Sequence, residues 1–332
     1  MSILVTGGAG YIGSHTVYAL IEAGQRDVIV LDNLSIGHRA SVHPDAKFYQ
    51  ADIRDRAALD AIFAKENIEG VIHFAANSQV GESMQNPLKY YENNLSGTTT
   101  LLQAMVAAGI RHIVFSSTAA VYGEPSQMPI CEDTPTVPTN CYGETKLAME
   151  RMMQWTSHAH PLSYVALRYF NACGAHESGK IGEDHRPETH LIPVVLKVPN
   201  GHLAQLSIFG DDYPTKDGTC VRDYIHVMDL ASAHVLAMKY LLGGGENTVL
   251  NLGNGVGFSV AEVIETARQV THHPIPAKVE ARRAGDPAQL VASSEKARAV
   301  LGWDPIYADL HTIVDSAWKW HKANPNGFAT EQ

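Results

Sequence analysis

The run Thr6-Gly7-Gly8-Ala9-Gly10-Tyr11-Ile12-Gly13 constrains this chain of 332 residues more than any other stretch. It sets glycines at a GxxGxxG spacing between the apolar Ile3-Leu4-Val5 and a helical pattern, so a strand turns tightly into a helix. Such a turn lets the main chain approach a pyrophosphate at the positive end of the helix. Asp32 closes the next apolar run about 20 residues on, where a dinucleotide fingerprint places the acid that accepts from the adenosine ribose hydroxyls. A carboxylate there repels a 2′-phosphate, so NAD⁺ is expected rather than NADP⁺. Gly7, Gly10, Tyr11, Ile12, Gly13 and Asp32 are the first cofactor contacts expected.

The first half repeats this alternation. Ile3–Thr6, Val28–Asp32, Phe48–Ala51, Val71–Ala75, His112–Ser116 and Tyr164–Arg168 read as buried parallel strands, with helix-length segments between them. The implied fold is α/β: a doubly wound parallel Rossmann sheet carrying a smaller α/β substrate-binding lobe, with ligands at the carboxyl ends of the strands. Residues 1–170 make the NAD-binding part, rejoined by about 223–252. Residues 171–222 and 253–332 make the smaller second lobe, and Asp223 to Leu242 reads as one long amphipathic helix. After the third strand Asp52 and Ile53 are placed to face the adenine. Phe74, Ala75 and Ala76 follow the fourth strand with little bulk, so a cofactor can lie close.

Tyr142-Gly-Glu-Thr-Lys146 sets a phenol and an ammonium four residues apart on one helix face. A tyrosine titrating near 10 is a poor base at neutral pH, but an adjacent Lys⁺ and a positive nicotinamide ring both favour phenolate. Ser116, Ser117 and Thr118 close the fifth strand, and Thr118 can hold the same substrate oxygen, giving a Ser/Thr-Tyr-Lys site.

Composition excludes other classes. A formal net charge of -10 argues against nucleic acid or an anionic membrane as partner. No apolar stretch is long enough to cross a bilayer, and no basic leader precedes the first strand, from which a cytoplasmic protein is expected. Cys131, Cys141, Cys173 and Cys220 lack CxxC spacing and read as reduced thiols. Seventeen histidines include no HExxH or Cys/His ligand spacing, and His272-His273 beside Pro274 reads as a loop, so no metal is expected.

GGAGYIG, DNLS, HFAA, VGES, YYENN, FSSTAAVYG, YGETK and RYFNACGAH together resemble the extended short-chain dehydrogenase/reductase family. GEDH, the run from Ile208 to Leu230 and ARRAGDPAQLVAS resemble, within it, the enzymes that epimerise UDP-hexoses, and the likeness covers nearly the whole chain. The resemblance implies reversible 4-epimerisation of UDP-glucose and UDP-galactose through a transient 4-keto sugar. Tyr142 takes the 4-hydroxyl proton, and hydride goes to NAD⁺ and returns to the opposite face, with no net redox. It adds Asn33, Ser35, Gly37, Ser78, Asn93, Ser116, Tyr169 and Phe170 to the cofactor contacts. It places the UDP-sugar on Ser117, Thr118, Asn171, His190, Leu191, Gln205, Ser207, Phe209, Arg222, Arg283, Asp286 and Leu290. Two arginines suit a diphosphate because their forks bond it bidentately.

Some positions depart from the pattern. Ser78 stands where some epimerases carry a lysine toward the cofactor, and Ile36 and Gly37 replace polar contacts. Leu290 stands where some members have a tyrosine narrowing the sugar pocket, which admits UDP-N-acetylhexosamines as alternative substrates. A 4,6-dehydratase would need an acid pair after Thr118, and Ala119-Ala120 cannot transfer protons. A net nucleotide-sugar dehydrogenase and a non-catalytic NAD sensor are further alternatives; the sensor would tolerate loss of Tyr142 or Lys146, and both are present. The apolar faces of Pro87 to Gly109 and Asn140 to His158 match helices that relatives pair into a four-helix interface, so a homodimer is expected.

Overall fold

The computed structural model describes residues 2–283 and 286–329. Met1, Ala284, Gly285 and the last three residues, which hold the outer ends of the two expected lobes and the middle of the ARRAGDP motif, lie outside them.

Seven parallel strands form the main sheet. They are β1 (Ser2–Thr6), β2 (Val28–Asp32), β3 (Lys47–Gln50), β4 (Ile68–His73), β5 (His112–Ser116), β6 (Ser163–Tyr169) and a later strand, Thr248–Leu252. Their spatial order is Thr248–Leu252, β6, β5, β4, β1, β2, β3. Alternation within each strand sends its side chains to two cores. Ile3 and Val5 of β1 join Val28, Val30, Val165 and Leu167 in one, while Leu4 joins Ile29, Leu31, Ile113 and Phe115 in the other. Helices seal both faces: Tyr11–Glu22 and Val227–Leu242 cover the first, Gly97–Ala108 and Cys141–Ala159 the second. Strand order reverses between β1 and β4, and there the carboxyl ends of the strands open a crevice.

The remaining strands lie apart from this sheet. Val221–His226 pairs with Asn171–Cys173, Gly257–Ser259 and Gln289–Leu290, and Leu206–Phe209 pairs with Ala277–Glu280. Their core comprises Ile192, Leu196, Tyr224, Ile264 and Ile313.

Two elements differ from the periodicity reading. The helix expected from Asp223 begins at Val227; the residues before it are strand, because Tyr224 and Ile225 are buried in opposite cores and alternate as a strand requires. The helix expected from Pro87 is interrupted by a π turn over Tyr91–Ser96. The extra residue in that turn sends Asn93 toward the crevice and buries Asn94. Asn94 then accepts from Asn77 N at 2.8 Å and donates to Thr145 Oγ1 at 3.0 Å, tying this segment to the helix that carries Tyr142.

One buried ion pair joins that helix to the sheet. Arg168 on β6 and Glu150 on the helix are 6% and 5% exposed and meet as a fork, Nε to Oε1 at 2.9 Å and Nη2 to Oε2 at 2.5 Å. Arg168 also donates to the Tyr122 hydroxyl at 2.9 Å, which donates in turn to Asn251 Oδ1 at 2.7 Å on the outermost strand. Every charge is partnered, which makes loss of one member expensive. Glu150→Ala is expected to lower unfolding stability by about 3–5 kcal/mol, leaving Arg168 buried and unpaired. Urea denaturation checks this, and adding Arg168→Leu to that variant should cost much less than a second loss of the same size.

Candidate active site

The crevice is a single cavity of about 1200 Å³, larger than most drug-sized sites and roomy enough for two nucleotides end to end. Its floor is the turn read first from the sequence. Gly7 has φ +73°, and a Cβ there would lie 2.6 Å from Ala75 N; a Cβ on Gly13 would lie 2.1 Å from Gly7 O. Glycine is required at both by contact with backbone that cannot move aside. Asp32 is 7% exposed and lines the cavity; its two oxygens accept from Ala9 N at 3.0 Å and Leu34 N at 2.8 Å. Each oxygen keeps a lone pair for a ribose hydroxyl. The bare, close-set turn and this anchored carboxylate fit an adenine dinucleotide.

The phenol and the amine come from the helix Cys141–Ala159. Asn140 caps it, its Oδ1 accepting from Gly143 N at 2.8 Å, and Tyr142 N donates to Ser83 Oγ at 3.1 Å. A side chain at Gly143 would collide with Ala120 O, so the helix start is pressed onto the turn Ala119–Tyr122. Lys146 is 4% exposed and donates from Nζ to Ser116 O at 2.8 Å, with Nζ 5.8 Å from the Tyr142 ring centre. Thr118 Oγ1 accepts from Ala120 N at 3.1 Å, and its hydroxyl meets the Tyr142 phenol at the cavity wall.

Burial pushes the Tyr142 phenol up to about 12, only partly offset by its hydrogen bond with Thr118. Burial likewise pulls the Lys146 amine down to about 7, against the Glu150 carboxylate, which raises it. Burial thus disfavours the charged form of both groups, and a positive nicotinamide ring beside the phenol would add to the lysine's pull toward phenolate.

Among the expected cofactor contacts, Gly7, Gly10, Tyr11, Ile12, Gly13, Asp32, Asn33, Ser35, Gly37, Ile53, Phe74, Ala75, Ala76, Ser78, Asn93, Ser116, Tyr169 and Phe170 line the cavity. At the far end Asn171, His190, Leu191, Ser207, Phe209, Arg222, Arg283, Asp286 and Leu290 do so. Arg222 is ion-paired with Asp286, and Arg283 lies over the Phe209 ring, 4.0 Å from its centre. Three expected residues do not line it. Asp52 is held by Arg54, at 2.8 Å from Nη2, and by Asn33. Ser117 turns its hydroxyl to Glu150 at 2.5 Å, because side chains alternate along the strand end and Ser116 and Thr118 take the cavity side. Gln205 is exposed just before the strand Leu206–Phe209.

In the sequence His190 reads as a substrate contact and GEDH as a family motif, but neither brings their neighbours together as one group on the wall. Glu183, His185, Glu188 and His190 converge, with one ligating atom from each within 4.8 Å of the others, and the last three line the cavity. Burial opposes charge on Glu183, but His190 and His185 overcome it and hold the carboxyl down to about 2. Their spacing, Glu-x-His-x-x-Glu-x-His, matches no common ligand pattern, so only the loop's path could bring them together.

A Rossmann sheet with its glycine turn and ribose acid, joined to a Thr-Tyr-Lys constellation in the same cavity, defines a nicotinamide-dependent enzyme of the short-chain dehydrogenase/reductase kind. The sequence profile of the NAD dependent epimerase/dehydratase family matches residues 3–253. The chain belongs to that family. It is 61% identical over 331 residues to the UDP-glucose 4-epimerase of Halalkalibacterium halodurans, covering 100% of this chain and 98% of that protein. A crystal structure of a UDP-glucose 4-epimerase superposes with a TM-score of 0.98 at 55% identity, covering 99% of this chain and 100% of the other. The enzyme of Bifidobacterium longum in complex with NAD⁺ and UDP superposes with a TM-score of 0.92 at 43% identity, covering 99% and 100%.

Gly13→Ala should abolish tight cofactor retention while the sheet still forms, because the new methyl group displaces the Gly7 carbonyl. Cofactor content of the purified protein and its far-ultraviolet circular dichroism check both halves.

Proposed function

We propose that this chain catalyses NAD-dependent 4-epimerisation of a UDP-hexose, interconverting UDP-glucose and UDP-galactose. The observation that carries the reading is the placement of Tyr142 and Thr118 in one cavity between the glycine turn and the arginine end at Arg222 and Arg283. Bound NAD⁺ accepts a hydride from C4 of the sugar and returns it. The chain's own residues do the rest. Tyr142 takes the 4-hydroxyl proton as the C4–H bond breaks, and gives it back when the ketone is reduced on its other face. Thr118 hydrogen-bonds the same oxygen, and Lys146 keeps positive charge below the phenol and holds Ser116 O. Arg222 and Arg283 grip the diphosphate, with Asp286 orienting Arg222 and Phe209 supporting Arg283. Holding substrate by its nucleotide leaves the hexose free to rotate, so that either face of the 4-keto sugar meets the hydride.

Leu290 packs against the cluster of Ala119, Val121 and Leu147 and lines the sugar end, which supports acceptance of N-acetylated hexoses beside the plain ones. Incubation with UDP-galactose is expected to yield UDP-glucose without build-up of the near-ultraviolet absorbance of reduced cofactor. Sustained reduction, or a 4-keto-6-deoxy product, would overturn the proposal. Tyr142→Phe should retain NAD⁺ yet lose about 10²–10⁴ of turnover. With UDP-N-acetylgalactosamine as substrate, Leu290→Tyr should lower kcat/KM on the order of 10-fold more than with UDP-galactose.

We also propose that the chain is a cytoplasmic homodimer. Among the described residues no helix is long and apolar enough to cross a membrane. Leu88 (76% exposed), Tyr91 (42%) and Trp155 (70%) stand on the helical segments expected to pair, and Met84 (61%) on the short helix Val80–Gln85 just before them. Single exposed apolar residues are ordinary, but four on adjoining segments suggest an interface. Sedimentation of a Leu88→Glu, Trp155→Glu variant should show a monomer where the parent sediments as a dimer.

A further inference from the structure

We propose that Glu183, His185, Glu188 and His190 form a structural site for one divalent zinc-class cation, bound by two imidazole nitrogens and two carboxylate oxygens. The four belong to one loop, and the charges and donors come from two chemical classes that zinc uses together. Four-coordinate zinc with ligands at about 2.0–2.2 Å puts neighbouring ligand atoms roughly 3.3–3.5 Å apart. His185 Nδ1 lies 3.2 Å from Glu183 Oε1 and 3.5 Å from Glu188 Oε2. The His190 Nδ1 to Glu183 Oε1 contact, at 2.5 Å, would have to open, and all four ligating atoms lie within 4.8 Å of one another.

The surroundings point the same way. Glu183 is 3% exposed, a depth at which an acid needs a cationic partner. His185 Nδ1 is buried and faces two carboxylates, those of Glu183 and Glu188. Glu188 Oε1 accepts from Thr189 N and His190 N, both at 2.8 Å, an outer shell that fixes the carboxylate with Oε2 toward the cluster. Protein groups fill all four positions, which marks a structural rather than a catalytic site. The His185 ring meets the Tyr11 ring edge-on at 6.1 Å, so a cation here would pin the loop carrying His190 and Leu191 against the glycine turn. The assignment does not depend on the reaction proposed above.

The test uses the tag-free full chain, stripped with a chelator and equilibrated with Zn²⁺ alone. One equivalent retained through gel filtration, a raised Tm, and at least about 100-fold weaker binding in His185→Gln, Glu188→Gln support the site. No stoichiometric zinc in the parent, or equal binding in parent and variant, overturns it. Should the variant fail to fold, Co²⁺ bound to the parent decides. Four-coordinate d–d bands without thiolate charge transfer agree with two histidines and two glutamates. A thiolate band, or a six-coordinate spectrum, refutes that ligand set.

Discussion

The fork between Arg168 and Glu150 is the contact on which the rest of the site depends. It lies between the sheet and the helix Cys141–Ala159, about one turn beyond Lys146, and fixes that helix in both rotation and height. With the helix fixed, Lys146 reaches the carbonyl of Ser116 and Tyr142 faces the cavity rather than solvent. The pair is costly to bury and is retained within a network that Ser117 and Tyr122 join directly and Asn251 extends through Tyr122. A well-packed apolar substitute could supply equal stability but not the same directional hold.

Burial sets the chemistry as well as the geometry. The same dry interior that raises the Tyr142 phenol lowers the Lys146 amine, so burial disfavours the charged form of both groups. Under the proposed reaction a positive ring beside Tyr142 would favour its phenolate, which would tie proton removal to the presence of the oxidant.

Much of this was legible in one dimension. The strand–glycine–helix start, Asp32 and the Tyr142/Lys146 spacing are local patterns, and local patterns survive folding because the elements they sit on are rigid. Ser117 and Asp52 show where such reasoning ran out. Both neighbour functional residues in the chain, yet strand alternation turned Ser117 to Glu150, and a nearby Arg54 captured Asp52. The π turn over Tyr91–Ser96 was equally hidden, since one extra residue leaves helical periodicity almost intact while redirecting Asn93 and Asn94.

The sequence by itself determined the sheet, its glycine turn and the Tyr142/Lys146 spacing on one helix face, because hydrophobic periodicity and backbone-demanding glycines act over a few residues. Only the tertiary structure decided what meets across the cavity: Asp286 on Arg222, Phe209 under Arg283, and the four groups of the Glu183–His190 loop. Those encounters depend on how distant segments pack and on the course of an irregular loop, and no short-range pattern in the chain encodes either.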